Sequence, residues 1–143
     1  MYMHNSESKP PSLDYILKRT SDEKTFALFN NIAISDGDKP VLLRKSNLTA
    51  KQYYGRISGL MDAGLIKRRN SRYSLTTLGK VVYNSHMIIG KALSYYSRLK
   101  AIESIEMSPS SSLPGAGFSK EELTQLINAL IDNHFIKDFL INE

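Results

Sequence analysis

The sequence predicts a mainly α-helical fold with one small β-hairpin. Apolar residues recur at three- and four-residue spacing through most of the chain, which is typical of amphipathic helices. Two short runs, Leu65–Arg69 and Arg72–Leu75, flank a polar Asn70-Ser71 pair, which predicts two strands joined by a tight turn. The helical spacing then resumes and continues from Leu78 to about Ile105. These three observations together define the fold class, α+β with little strand.

Length and composition exclude several classes of protein. The chain has 143 residues, of which 41% are hydrophobic, and it contains no cysteine. Without cysteine there is no disulfide framework, thiolate zinc site, iron–sulfur cluster or Cys nucleophile. Apolar runs such as Val81–Tyr83 are far too short to span a bilayer, and the N-terminus lacks a signal-peptide pattern. We therefore expect a cytoplasmic protein with no membrane contact and no cofactor.

Charge is distributed unevenly along the chain. Residues 39–80 carry ten Lys or Arg and a single acid, Asp62, a net charge of +9. Residues 101–143 carry two Lys and seven acids, a net charge of −5. A basic block of this strength favours a polyanionic partner for the middle of the chain, although a solvated basic face would show the same charge.

The first part of the chain predicts a tail followed by three helices. Residues 1–12 are polar with a Pro-Pro pair and are expected to be a flexible tail. A short helix from Leu13 precedes a stronger one over Asp22–Ile34, which opens with Ser-Asp-Glu. A turn at Asp36-Gly37-Asp38 leads to a short helix over Lys39–Lys45.

The clearest predicted helix covers Thr49–Ala63. Thr49 with Gln52 three residues later forms a capping box, and Gly64 follows at the position expected of a left-handed C-terminal residue. The spacing predicts one buried side, made of Tyr53, Ile57, Leu60 and Met61 with Gly64, and an opposite open side, made of Lys51, Gln52, Gly55, Gly59 and Asp62.

The order of these elements predicts a winged helix-turn-helix over residues 13–80. Thr49–Ala63 is its recognition helix and Leu65–Leu75 is its wing. Residues 81–143 form the second region, which contains most of a long helix predicted over Leu78–Ile105. A Ser/Pro/Gly linker over Met107–Phe118 follows. A C-terminal helix then begins after Ser119 and is broken near Asn133–His134. The apolar arc of the long helix is wider than one domain needs, so we expect it and the C-terminal helix to form a homodimer interface.

The stretch LTAKQYYGRISGLMDAGLIKRRNSRYSLTTLGKVVY (Leu48–Tyr83) resembles the winged-helix transcriptional regulators of ammonia-oxidising archaea, related to the ArnR-like group. The resemblance is carried by KQYY with the following Arg, by AGLI, by the basic wing and by the C-terminal LINALIDNHFIKDFL, and it covers roughly residues 13–140. It implies a DNA-binding regulator that forms a homodimer. Glycines inside the recognition helix, Gly55 and Gly59, depart from the family's usual pattern.

Docking of a recognition helix by its N-terminal half predicts which side chains meet DNA. Lys51 and Gln52 are best placed for base edges, since Lys donates to guanine and Gln pairs with adenine. Arg56 is expected at a base or a phosphate. Tyr54 either contacts a phosphate or, as we favour, seals the edge of the core. Gly55 and Gly59 either let DNA approach the backbone or are simply tolerated there.

The wing has four basic residues and no acidic one, which suits it to contact DNA phosphates or a narrow minor groove. Charge on an edge hairpin also prevents aggregation. Lys39 is expected to contact the DNA backbone as well. The complete set of candidate DNA-binding residues is Arg44, Lys45, Thr49, Lys51, Gln52, Tyr54, Gly55, Arg56, Lys67, Arg68, Arg69, Asn70 and Arg72.

Catalysis has little support in the sequence. The three histidines are scattered without metal-ligand spacing, and no nucleophile or phosphate-loop motif is present. We therefore expect a protein that is not an enzyme. The alternative is a winged helix used for protein–protein contact within a transcription complex. Such a module would present apolar anchors on the open side of the recognition helix, whereas Lys51 and Gln52 are predicted there.

Overall fold

A computed structural model describes residues 9–35, 39–107 and 119–142 of the chain. Within these ranges the protein forms eight helices and one two-stranded antiparallel sheet, in the order α1 Leu13–Ser21, α2 Glu23–Ile34, α3 Lys39–Ser46, α4 Ala50–Asp62, β1 Ile66–Arg69, β2 Arg72–Leu75, α5 Thr77–Ser94, α6 Tyr96–Glu106, α7 Lys120–Leu130 and α8 His134–Ile141. The chain divides into two compact units between Asn84 and Ser85. The predicted turn at residues 36–38, most of the tail and most of the linker lie outside the described residues.

The N-terminal unit is organised around α2 and α4. Its helices begin where side chains can cap them: Asp22 accepts the backbone N–H of Thr25, and Thr49 accepts that of Gln52. The core unites buried residues from α1 to β2, the largest fully buried ones being Tyr53, Phe29, Leu28, Ile32, Leu42, Leu60 and Leu65. Helix, short helix, capped helix and hairpin therefore follow in the predicted order and share one core.

The hairpin has the predicted strands joined by a two-residue turn. Ile66 pairs with Leu75 at its base, and Arg69 pairs with Arg72 at its tip. Asn70 and Ser71 both have positive φ, 51° and 64°. Two left-handed residues make the mirror-image turn whose twist matches that of the strands, here without the glycine that this turn usually contains.

The prediction of one continuous helix over Leu78–Ile105 is wrong. The chain leaves the helix at Tyr95, whose backbone (φ −97°, ψ 13°) separates α5 from α6 and whose N–H donates to the Ala92 carbonyl at 3.0 Å. The Tyr95 side chain is buried in the core of the C-terminal unit. Since no Pro or Gly marks this position and the apolar spacing continues across it, the sequence carries no local signal for the break.

The C-terminal unit is small. Its buried core consists of Tyr95, Ile102, Ile127, Ile131 and Ile136. Ser119 caps α7 by accepting the N–H of Glu122 at 3.1 Å, and Asn133 caps α8 in the same way. The predicted helix start at Ser119 and the break before His134 are therefore confirmed.

Candidate nucleic-acid interface

The N-terminus of α4 is held by the capping box that the sequence predicts. Thr49 Oγ1 accepts the N–H of Gln52 at 3.2 Å, and Gln52 Oε1 accepts the N–H of Thr49 at 3.2 Å. Both side chains are exposed, and each already serves the helix end. For Gln52 this leaves the amide NH2 group, a donor, to face outwards.

The open side of α4 contains Lys51, Gln52, Gly55 and Asp62 as predicted, but it differs from the prediction at other positions. Gly59, predicted to face outwards, is buried, and Met61, predicted to be buried, is 40% exposed. Lys51, Tyr54 and Ser58 follow one another at i, i+3 and i+7 on the exposed side. The prediction is therefore wrong for Gly59, Met61 and Gly64, since Gly64 is also exposed. Ser58 is an exposed residue of the open side that the prediction does not include.

Arg19 of α1 explains the position of Gly59. A Cβ atom built on Gly59 would lie 3.0 Å from Arg19 Nη1, so the absence of a side chain lets the arginine lie across α4. The same guanidinium stacks over the Tyr15 ring, 5.2 Å from its centroid. Gly55, in contrast, has no atom within 4 Å of an added Cβ. Gly59 therefore lies against Arg19 of α1, whereas the space beside Gly55 is empty.

Arg56 forms an ion pair with Asp22, the residue that caps α2. Arg56 Nε donates to Asp22 Oδ2 at 3.1 Å. The hydrogen bonds from the side chain and backbone of Thr25, together with the one from Arg56, hold the pKa of Asp22 below its ordinary value. Sequence periodicity offers no signal for this pair, because its members are 34 residues apart. Arg56 therefore ties α4 to the start of α2.

Three tyrosines lie where α4 meets the hairpin. Tyr53 is fully buried and its hydroxyl has no hydrogen-bond partner among the described residues; burial raises its pKa to about 12. Tyr54 packs edge-on against Tyr53, with ring centroids 5.1 Å apart, yet is 50% exposed. Burial also raises the pKa of Tyr73, and the positive charge of Arg68 partly offsets this increase. Arg68 thus lies near the tyrosines that join hairpin and recognition helix.

The hairpin presents its cations on two faces. Arg68 is paired with the buried Tyr73, and Lys67 with the exposed Ser74. Because successive residues of a strand point to opposite faces, Lys67 and Arg68 point apart, and Arg69 and Arg72 share the face of Lys67 near the tip. Asn70 is exposed at the turn. Arg44 and Lys45 are exposed in the last turn of α3, just before α4.

In the part of the chain that the structure describes, no group of three or more His, Asp or Glu is placed to hold a metal ion. Among the described helices, none combines the length and the apolar character needed to cross a membrane.

An exposed helix start beside a basic hairpin, both held on a three-helix core, defines a helix-turn-helix domain with a wing. A family model described as winged helix-turn-helix matches residues 18–92, which is more than half of the chain. The chain therefore belongs to the winged helix-turn-helix family, whose members are typically DNA-binding domains. No curated protein and no solved structure matches it significantly.

Proposed function

We propose that this protein is a sequence-specific DNA-binding transcriptional regulator of the cytoplasm, in the archaeal subgroup that its sequence resembles. The observation that carries the proposal is the exposed face of Lys51, Tyr54 and Ser58 on α4, adjacent to a basic hairpin. This face would enter the major groove, and the hairpin would lie on the backbone or in the minor groove.

Individual roles follow from what each side chain is free to do. Lys51 would donate to guanine acceptors, and the Gln52 amide would donate to a base or a phosphate. Tyr54 packs against Tyr53 at the edge of the core, and its exposed part would in addition reach a phosphate through the hydroxyl. Gly55 would let the α4 backbone approach the DNA closely, since nothing occupies the space beside it.

The remaining candidates divide into contacts and supports. Lys67, Arg68, Arg69 and Arg72 on the hairpin, with Arg44 and Lys45 on α3, would neutralise phosphates. Asn70 at the turn would donate a hydrogen bond to a phosphate. Thr49 would act by capping α4. Arg56 would act by positioning α4, because its guanidinium is bonded to Asp22 at 3.1 Å.

We further propose that two copies assemble through α5, α6 and the C-terminal helices. Two pairs of apolar side chains spaced four residues apart are exposed in the C-terminal unit: Ile89 with Leu93 on α5, and Phe135 with Phe139 on α8. Residues at this spacing form one stripe on a helix. A two-fold dimer would present two recognition helices to half-sites about one helical turn apart.

Selection from a random-sequence duplex library across a salt series tests this function. We expect enrichment of a two-fold motif and an affinity that falls steeply with salt. Salt-sensitive binding without enrichment would leave only non-specific DNA binding. An absence of binding at low salt would contradict the proposal and favour the protein–protein module.

Two substitutions test the docking geometry. Lys51→Ala should relax sequence preference by about 1–3 kcal/mol at the contacted base pair, because a base contact is lost. Arg68→Ala should weaken binding to all DNA sequences alike. It should also reduce the slope of the logarithm of the binding constant against the logarithm of the salt concentration by about one. Lys24→Ala, which removes an exposed cation from α2, is the matched control and should change neither property.

A further inference from the structure

A cavity of about 400 Å³ lies in the N-terminal unit, between the end of α2, the hairpin and the start of α5. Its volume falls within the range of small-molecule sites, roughly 300–1,000 Å³. The proposed DNA contacts on the first half of α4 are not part of its lining. Of the residues predicted to bind DNA, Lys67 alone is in the lining, so DNA binding does not account for the cavity as a whole.

The lining of this cavity is amphipathic. Ile32, Ala33 and Leu75 supply apolar surface, while Lys67 from β1 and Lys80 from α5 supply two positive charges. Ser74, directly opposite Lys67 in the hairpin, adds a hydroxyl. Such a lining, at least as polar as it is apolar, suits a small ligand that has a charged head and a short apolar body.

The two lysines have no anionic partner in the described part of the chain. No described carboxylate forms an ion pair with Lys67 or Lys80. Strand alternation turns Lys67 away from Arg68, so Lys67 does not share the face that meets the tyrosines of α4. Two like charges facing one cavity repel each other, and an anion between them would relieve that repulsion.

We propose that this cavity, here called the anion cavity, binds a small organic anion whose charged head meets Lys67 and Lys80 and whose short apolar body meets Ile32, Ala33 and Leu75. A ligand held by both lysines would link the hairpin to α5. If the proposed DNA-binding function holds, the ligand would thereby change the affinity for DNA, and this regulatory step alone rests on that function.

Titration of the isotope-labelled full chain with benzoate, followed by amide chemical shifts, tests the binding step without DNA. We expect saturable shifts centred on Ala33, Ser74 and Lys80. The double variant Lys67→Gln/Lys80→Gln should weaken binding at least about tenfold, because two charge-assisted contacts are lost. Lys24→Gln removes one positive charge at the start of α2, outside the lining of the cavity, and should bind like the wild type.

Three outcomes would overturn the binding step: no saturable shifts at about 20 mM benzoate, well above a dissociation constant of about 1 mM; equal binding by the double variant; or shifts scattered over exposed lysines. Inorganic phosphate in place of benzoate distinguishes a requirement for the apolar body from binding of any anion. We expect phosphate to bind at least about tenfold more weakly, since it cannot use the apolar walls.

A second titration distinguishes the ligand from a DNA phosphate as the anion. If the double variant loses as much DNA affinity as Arg68→Ala while benzoate causes no shifts, the lysines belong to the DNA interface and the proposal is wrong. With benzoate bound, we expect DNA affinity to change at least about threefold in the wild type and not in the double variant. Benzoate binding without that change would overturn the regulatory step.

Discussion

The two units of the molecule differ in how much of their apolar surface they bury. The N-terminal unit has thirteen buried core residues, including Phe29, Tyr53 and Tyr73, and eight exposed large apolar side chains among those described. The C-terminal unit has five buried core residues and seven exposed large apolar side chains. Burial of apolar surface is the main favourable term in folding, so the first unit has the larger core to stabilise its fold.

This difference indicates separate tasks for the two units. A unit that completes its own core can hold a rigid binding surface, and the capping box and the Asp22–Arg56 ion pair then orient α4 on that core. A unit that leaves aligned apolar pairs exposed is suited to meet a second copy. The comparison therefore supports DNA contact by the first unit and assembly by the second.

The largest expected effect concerns the proposed dimer interface in the C-terminal unit. Leu93→Asp should raise the dimer dissociation constant more than about 100-fold, because an unpaired charge would be placed in an apolar contact. Analytical ultracentrifugation measures this dissociation constant. Leu17→Asp on α1 is the matched control, since Leu17 is 51% exposed and Leu93 66%. A wild-type protein that is monomeric at micromolar concentration, or equal effects of both changes, would contradict the assignment.

The next effect concerns the two glycines of α5, one in each unit. A Cβ on Gly79 would collide with the carbonyl oxygen of Leu65, whereas a Cβ on Gly90 would meet open space. Gly79→Ala should therefore lower the free energy of unfolding by about 3 kcal/mol, because the backbone must shift. Gly90→Ala should instead raise it by up to about 1 kcal/mol. Urea unfolding measures both, and the same sign for both would refute this difference.

A smaller effect separates folding from binding within the N-terminal unit. Gly55→Ala should raise the free energy of unfolding by up to about 1 kcal/mol, as alanine favours the helix and the space is open. On the proposed function it should also weaken DNA binding, because the methyl group blocks close approach of the backbone. Gly90→Ala is the control, since it should stabilise the fold without weakening DNA binding. Unchanged DNA affinity would mean that Gly55 is only tolerated.

The smallest effect is a pH dependence that arises in the C-terminal unit. Burial lowers the pKa of His86 below its ordinary value of 6.5, so the unfolded chain binds a proton more readily than the folded one. This contribution to stability is complete above pH 6.5 and is lost as the pH falls to the lowered folded pKa. We expect the urea midpoint to decrease on acidification, and His86→Gln to reduce that slope. An unaltered slope would show that other groups cause it.

Local features of the sequence determined most of the secondary structure. The capping box of Thr49 and Gln52, the positive φ of Gly64, the hairpin around Asn70-Ser71 and the start of α7 after Ser119 all lie where the sequence predicts them. These features depend on hydrogen bonds and backbone angles within a few residues, so a short stretch of sequence contains their cause. The helical parts of the C-terminal region were predictable for the same reason.

Tertiary contacts decided how those elements are presented. The open side of α4 follows from Arg19 lying over Gly59 and from Asp22 holding Arg56, contacts with residues far along the chain. Likewise, burial of Tyr95 separates α5 from α6 where the apolar spacing alone continues. Helical periodicity specifies which residues share a stripe but leaves its direction to packing partners. The sequence by itself therefore determined the elements and their order, whereas side chains brought together from distant positions decided which faces remain open.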